Sequence, residues 1–146
     1  MTVGVFDHED RARQLIRFDG MNIKKRSFTD FDAVMEGRIV GWLAFEVKQV
    51  GKDVPTGQRI ALERLVRDTT IAGKYAVAAV VEHNVFDPHE DIYLRKCLVR
   101  SLFISNEYRW RPPKRWMNAH ELMIDFIGVV DKAANGDGLS GPSHFC

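Results

Sequence analysis

Residues 75–81 read Tyr-Ala-Val-Ala-Ala-Val-Val, the longest uninterrupted apolar run in the chain. An unbroken β-prone run is typical of a central strand that is covered on both faces. The run is far shorter than the roughly 20 residues that a membrane-spanning helix requires, so the sequence predicts no membrane span. We therefore expect the rest of the fold to be built around this strand.

A helix is predicted directly before this strand, over residues 55–73. Proline favours the first turn of a helix and glycine its end, and Pro55 and Gly73 stand at these positions. The apolar stripe predicted to face the sheet consists of Ala61, Leu62, Leu65, Val66 and Ile71. A solvated charged face is predicted on the opposite side, where residues recur four apart: Arg59, Glu63 and Arg67.

Two apolar segments, at residues 29–36 and 41–50, precede the helix and are joined by a connection that contains glycine. Such a pair predicts an antiparallel hairpin. Earlier still, residues 7–18 show the three- and four-residue apolar spacing of a surface helix, and residues 21–26 are a candidate short strand.

After the central run, residues 97–104 form a second β-prone stretch. Asn118 and Glu121 have the spacing of a capping box, which predicts a last helix that ends near Lys132. The order is thus helix, short strand, hairpin, helix, strand, strand, helix. It predicts an α/β fold with a mixed central sheet flanked by helices, including a C-terminal helix.

The composition indicates one domain, because 146 residues with 45% hydrophobic side chains are the size of a single globular unit. We assign residues 1–134 to this domain and the Gly- and Ser-rich residues 135–146 to a flexible tail. Cys97 and Cys146 are the only cysteines, which excludes a disulfide scaffold and favours a reducing, cytoplasmic setting. The 21 basic and 20 acidic side chains nearly cancel, so net charge indicates no partner.

Charged residues interrupt the apolar pattern of the second hairpin strand. Because side chains alternate along a strand, Glu46 and Lys48 share one face. Trp42 and Ala44 lie on that same face. A carboxylate and an ammonium at the end of an apolar strand are costly near a core unless something compensates them. They therefore lie at a wet edge or bind a ligand.

The first hairpin strand adds acidic residues. Alternation gives it two faces, namely Asp30, Asp32, Val34 and Glu36 on one, and Phe31, Ala33 and Met35 on the other. In a hairpin, Asp32 and Glu46 fall toward the same open end, so carboxylates converge beside one lysine. Like charges this close repel each other unless a cation lies among them. Mg²⁺ or Mn²⁺ suits such oxygens and keeps waters that a phosphate can displace.

Lys48 and Gln58 extend the arrangement toward phosphodiester hydrolysis. Lys48 would stabilise the charge that builds on a reacting phosphate. Gln58 falls in the first turn of the predicted helix, on its apolar stripe, so its amide would face inward. The alternatives are a solvent-facing polar residue for Gln58, and an exposed ion pair for Glu46 and Lys48.

The combination of Asp32, Glu46-Val47-Lys48 after a hairpin and Gln58 at a helix start resembles the PD-(D/E)XK, or restriction-endonuclease-like, nuclease superfamily. The element order over roughly two thirds of the chain is similar to its core of a helix, three strands, a helix and a strand. Phage and prokaryotic members with a Gln after the catalytic lysine, including some Holliday-junction resolvases and recombination exonucleases, are the most similar.

The resemblance implies Mg²⁺- or Mn²⁺-dependent cleavage of DNA. By it, Asp32 and Glu46 would be metal ligands, and Val47 would offer its carbonyl oxygen. Lys48 would assist the attacking water, and Gln58 would be the auxiliary polar residue of the catalytic set. Small members commonly act as dimers, so a homodimer is implied as well.

The chain departs from the family motif at one position, because the residue before Asp32 is Phe31 and not proline. Asp30 competes with Asp32 for the role of the ligand. We favour Asp32, since its spacing to Glu46 leaves a normal hairpin, and keep Asp30 as a second ligand.

Two basic segments are candidates for DNA contacts. Residues 109–116 interleave cations with two tryptophans, and cations bind phosphates while aromatic faces stack on unpaired bases. The cations are Arg109, Arg111, Lys114 and Arg115. A surface segment whose tryptophans pack on the core is the alternative. The other basic cluster consists of Lys24, Lys25 and Arg26.

Residues 82–91 bring two histidines near several acids, but no further Cys or His pair completes a zinc site, so they predict a turn after a strand. Two hypotheses of function remain. The first is a metal-dependent DNA nuclease, and the second is a nucleic-acid- or protein-binding module with a nuclease-like fold.

Overall fold

The computed structural model describes residues 19, 31–38 and 40–136. The helix predicted at 7–18, the short strand predicted at 21–26 and most of the predicted tail lie outside the described residues. The described elements are β1 (Ala33–Gly37), β2 (Gly41–Gln49), α1 (Thr56–Ile71), β3 (Tyr75–His83), β4 (Leu98–Ile104), β5 (Trp110–Arg111) and α2 (Ala119–Ala134), with a short 3-10 helix at Leu94–Lys96.

The described strands form one sheet in the order β1-β2-β3-β4-β5. β2 and β3 are parallel, and the other neighbouring pairs of these strands are antiparallel. A parallel pair needs a crossover connection, which α1 supplies between β2 and β3. The fold is therefore α/β with a mixed sheet and a C-terminal helix, as the sequence predicted.

β3 is the middle strand, and its residues are buried without interruption from Tyr75 to Val81. Its side chains enter two apolar clusters in alternation. Val77 and Ala79 pack in the cluster that includes α2, whereas Ala76 and Ala78 pack in the cluster that includes α1. The prediction of a strand covered on both faces is confirmed. The same burial raises the pKa of the Tyr75 hydroxyl, so this group stays protonated at physiological pH.

The predicted hairpin is present, with Gly37 opposite Gly41 and Ala33 opposite Phe45. The predicted alternation is wrong for Phe31. Ala33 packs against the α2 cluster, whereas Phe31 packs against the α1 cluster. The reason is that β1 begins only at Ala33, so the two-residue period does not extend back to Phe31.

The helix α1 begins and ends close to its predicted limits, with Pro55 as its N-cap and Gly73 at φ +80° just after it. Leu62 and Val66 are its buried residues. The prediction that Ile71 belongs to the apolar stripe is wrong, because this side chain is 83% exposed. It follows Val66 by five residues, which rotates it by about 140° around the helix axis.

The prediction that Glu63 lies on a solvated face of α1 is wrong. The same prediction holds only in part for Arg67, which is exposed but contacts an aromatic ring. The indole Nε1 of Trp110 donates a 2.8 Å hydrogen bond to Glu63 Oε1. The Arg67 guanidinium lies 4.7 Å from the centre of the Tyr108 ring, a cation–π distance. The chain that follows β4 folds over this side of α1 and covers it.

The helix α2 begins at the predicted capping box, in which the Asn118 side chain and the Glu121 side chain each bind the other residue's backbone N–H. Phe126 and Val130 of α2 are buried against the sheet. Among the residues described, neither helix is long and apolar enough to cross a membrane.

Gly41 is the position where this packing tolerates no side chain. A Cβ there would overlap the backbone carbonyl of Tyr75, the residue opposite it on β3. We expect Gly41→Ala to lower the free energy of unfolding by about 2 kcal/mol or more, because backbone atoms must move. Urea denaturation measures this. The control Gly57→Ala, with open space in α1, should be neutral or stabilising. Equal stability of both variants would contradict the expectation.

Candidate active site

Four side chains predicted from the sequence come together at one end of the sheet. They are Asp32, just before β1, Glu46 and Lys48 on β2, and Gln58 in the first turn of α1. The hairpin register places the start of β1 beside the end of β2, and the connection that follows β2 returns the chain to begin α1. The end of β2 therefore has the start of β1 on one side and the start of α1 on its face.

Glu46 and Lys48 form a close ion pair. Lys48 Nζ lies 2.6 Å from Glu46 Oε1, and the Glu46 side chain is 1% exposed, whereas that of Lys48 is 20% exposed. Both side chains are on the α1 face, because Ala44, two residues before Glu46, packs in the α1 cluster. A carboxylate buried this deeply needs a charged partner, and Lys48 supplies it. The alternative of an exposed strand-end pair does not apply to Glu46.

Gln58 faces this pair. The ammonium of Lys48 donates a 3.2 Å hydrogen bond to Gln58 Oε1. The amide oxygen thus binds the lysine from the helix side while Glu46 binds it from the strand side. The prediction that Gln58 points inward is confirmed, and its solvent-facing alternative is wrong.

Asp32 is hydrogen-bonded to the edge of β2 that faces β1. Its Oδ2 accepts a 2.6 Å hydrogen bond from the backbone N–H of Val47. The N–H and C=O groups of one strand residue point to the same side, so the Val47 carbonyl also faces the side of Asp32. The carboxylate of Asp32 and the Val47 carbonyl therefore lie along one edge of β2, next to Glu46.

These oxygens are the donors that a hard divalent cation prefers, namely two carboxylates and a backbone carbonyl. Within residues 31–38 and 40–136, no group of three or more His, Cys, Asp or Glu side chains is arranged to hold a metal ion. The set formed by Asp32, Glu46 and Val47 has two carboxylates only. Asp30, the predicted second ligand, lies outside the described residues.

Two residues beside the site, Glu82 and Arg100, were not predicted from the sequence. Glu82 stands opposite Lys48 in the register of β2 and β3, and Arg100 Nη1 binds Glu82 Oε1 at 2.8 Å. The same Nη1 donates to the carbonyl oxygen of Lys52, in the connection between β2 and α1. Arg100 therefore holds this connection beside the site.

A bulge positions Arg100. Val80 is opposite Ser101 and Val81 is opposite Val99, so Arg100 is an extra residue on β4. Only knowledge of which strands are neighbours reveals this, and no local sequence signal marks it. Glu82 was visible in the sequence but was assigned to a turn, whereas it belongs to β3.

The predicted basic strip at 109–116 divides in two. Arg111 pairs with Glu107 at 2.9 Å, and Arg115 pairs with Asp125 at 3.2 Å. Arg109 and Lys114 are exposed, and no carboxylate among the described residues pairs with either. The other predicted basic cluster, Lys24, Lys25 and Arg26, lies outside the described residues.

The two tryptophans of the strip also differ. Trp110 packs against Phe103, with ring centres 5.4 Å apart, as the packing alternative requires. Trp116 is 86% exposed, as a stacking platform would be. Each alternative thus fits one tryptophan.

The histidine-rich stretch forms local bonds. Val85 N–H donates to His83 Nδ1, and His89 N–H donates to Asp87 Oδ1, in a turn that follows β3. The prediction of a turn is confirmed for residues 84–91 and is wrong for Glu82 and His83, which end β3.

No protein-family model, no curated protein and no solved structure matches this chain. The arrangement of Asp32, Glu46, Lys48 and Gln58 is therefore interpreted from its own chemistry.

The buried pair allows a test that does not depend on activity. We expect Lys48→Met to lower the free energy of unfolding by about 2 kcal/mol, because it leaves the Glu46 carboxylate buried without its ammonium. The double variant Glu46→Gln/Lys48→Met should lose less than the sum of the single losses, by about 1 kcal/mol. Urea denaturation measures the cycle, with Lys52→Met as the exposed-lysine control. Additive losses would show that the pair is not coupled.

Proposed function

We propose that this protein is a metal-dependent DNA nuclease that hydrolyses phosphodiester bonds. The observation that supports it best is the convergence of Asp32, Glu46, Lys48 and Gln58 around the end of β2. These residues come from three elements, and each was predicted for this chemistry. A purely structural ion pair would need Glu46 and Lys48 but would not require Asp32 at the same strand end.

Asp32, Glu46 and the Val47 carbonyl are the residues that would hold Mg²⁺ or Mn²⁺, because all three present oxygen atoms. When bound, such an ion supplies Lewis-acid polarisation of a phosphate and charge neutralisation. The hydrogen bond from Val47 N–H holds the Asp32 carboxylate at this edge of β2.

Lys48 is the proposed catalytic cation. Its side chain lies near the end of β2 and is 20% exposed, and its ammonium is an N–H donor, so it can orient the attacking water and stabilise negative charge on a phosphate oxygen. Glu46 and Gln58 bind it from two sides and so restrict its position. Such a pre-organised cation needs little reorganisation when charge develops on the phosphate.

The proposed substrate class rests on exposed cations of the segment that follows β4. Arg109 and Lys114 are exposed cations on the segment that follows β4, and they are the proposed phosphate contacts of the basic strip. Arg111 and Arg115 shape this segment through their carboxylate partners. The described residues contain one such site, so cleavage of both strands of a duplex calls for a second copy, and we propose a homodimer for that reaction.

Metal binding to the native chain is the first test. At a Mg²⁺ or Mn²⁺ concentration about 100 times the dissociation constant, we expect about 2.7 kcal/mol of stabilisation, seen as a melting temperature raised by about 5–10 °C. The variant Asp32→Asn/Glu46→Gln should show no such rise. The variant Glu36→Gln/Asp68→Asn, which removes two exposed carboxylates elsewhere, should behave as the native chain. A rise of equal size in both variants would rule out the assigned ligands.

Cleavage is the second test. We expect the native chain to cut at least one of a panel of duplex, branched and single-stranded DNAs in Mn²⁺, and Lys48→Met to cut it at least about 100-fold more slowly. DNA binding by Lys48→Met should be retained, since the lysine acts on the reacting phosphate. Lys52→Met, which replaces an exposed lysine, is the control and should cut DNA at the native rate. Undiminished cleavage by purified, folded Lys48→Met would remove Lys48 from the mechanism. No cleavage of any DNA by the native chain would favour the binding-module hypothesis.

A further inference from the structure

A groove of about 310 Å³ begins one strand away from Lys48. It is lined by Glu82 and Arg100 at its site end, and by Pro112, Pro113, Lys114 and Trp116 farther along. Glu82 stands opposite Lys48 on the neighbouring strand, and adjacent strands are about 4.8 Å apart. Glu82 therefore lines the groove and also neighbours Lys48 of the candidate active site.

Trp116 is the unusual feature of this groove. At 86% exposed, it is among the largest apolar side chains on the surface, and its neighbour Met117 is buried. The indole is exposed to solvent beside the groove, whereas the next side chain enters the core. It therefore offers a flat face for stacking. The two prolines restrict the backbone that leads to it, because their φ angles are fixed.

The groove also presents cations. Lys114 is exposed and has no carboxylate partner among the described residues. Arg100 offers five N–H donors, and its described bonds to Glu82 and to the Lys52 carbonyl involve Nη1 alone. The acidic Glu82 is offset by Arg100, and Arg115 is held toward α2 by Asp125.

We propose that this groove binds an unpaired DNA strand, with a base stacked on Trp116 and backbone phosphates at Lys114 and Arg100. Cations spaced along a groove with an aromatic platform are what a single strand needs. In a duplex the base faces are already stacked on one another and are shielded from Trp116. The identification of the bound strand as the substrate rests on the proposed nuclease function. The binding of a single strand to the groove does not depend on that function.

Binding is tested without cleavage, in EDTA, by fluorescence anisotropy of a labelled oligothymidine and of a blunt duplex. The native chain should bind the single strand more tightly than the duplex. Trp116→Leu should weaken single-strand binding about tenfold, and Trp116→Phe should retain most of it. Phe86→Leu, which removes an exposed aromatic side chain outside the groove, is the matched control and should have no effect.

Lys114→Gln should reduce the slope of log K against log salt by about 0.7, the value for one phosphate contact with a single strand. Lys132→Gln, which replaces an exposed lysine near the end of α2, should leave the slope unchanged. An unaltered affinity of Trp116→Leu, or a preference for duplex, would overturn the inference.

The two proposals can fail separately. If Lys48→Met and the native chain bind the oligothymidine equally but neither cuts any DNA, the nuclease function fails and the groove stands. If the native chain cuts DNA and Trp116→Leu binds and cuts it equally well, the proposal for the groove is wrong and the proposed nuclease function is supported.

Discussion

The parallel pairing of β2 with β3 is the constraint on which the rest of the structure depends. Its register runs from Gly41 opposite Tyr75 to Gln49 opposite His83, along the whole of both strands. Parallel neighbours cannot be joined by a tight turn, so the chain must cross over through a helix. That helix, α1, starts where β2 ends, and for this reason Gln58 reaches Lys48. The same register places Glu82 beside Lys48 and so connects the candidate site to the groove.

The Glu46–Lys48 pair shows how stability and chemistry are linked at this position. A carboxylate that is 1% exposed is unfavourable in an apolar sheet, and one salt bridge at 2.6 Å compensates it only in part. An apolar pair of the same size would pack there at less cost. The two charges give the end of β2 its fixed geometry, and the proposed function gives them a chemical role.

Local signals in the sequence predicted most of the fold. The apolar run of β3, the limits of α1 and the capping box of α2 each depend on a few consecutive residues. The shared face of Glu46 and Lys48 also follows from alternation within one strand. Phe31 was placed on the wrong face because the strand period was extended to a residue before β1. Ile71 was placed on the apolar stripe of α1 although it lies on another side of the helix.

Contacts between distant segments were not predictable in this way. The bond from Val47 N–H to Asp32, the bond from Trp110 to Glu63 and the bond from Arg100 to Glu82 each join residues at least 15 positions apart. Each depends on which strands and loops are neighbours, and composition or spacing does not encode that. The convergence of carboxylates was predicted, but the residues that hold the surrounding loops were found only in the structure.

The bulge on β4 adds a charged side chain without disturbing the pairing of the residues on either side of it. The ladder on either side of Arg100 keeps its partners, Val80 with Ser101 and Val81 with Val99. The arginine is thus an extra residue of the strand, and it does not replace a hydrophobic residue of the sheet. The bulge thus turns a guanidinium toward Glu82 and the connection before α1, while the residues on either side of it stay in the ladder with β3.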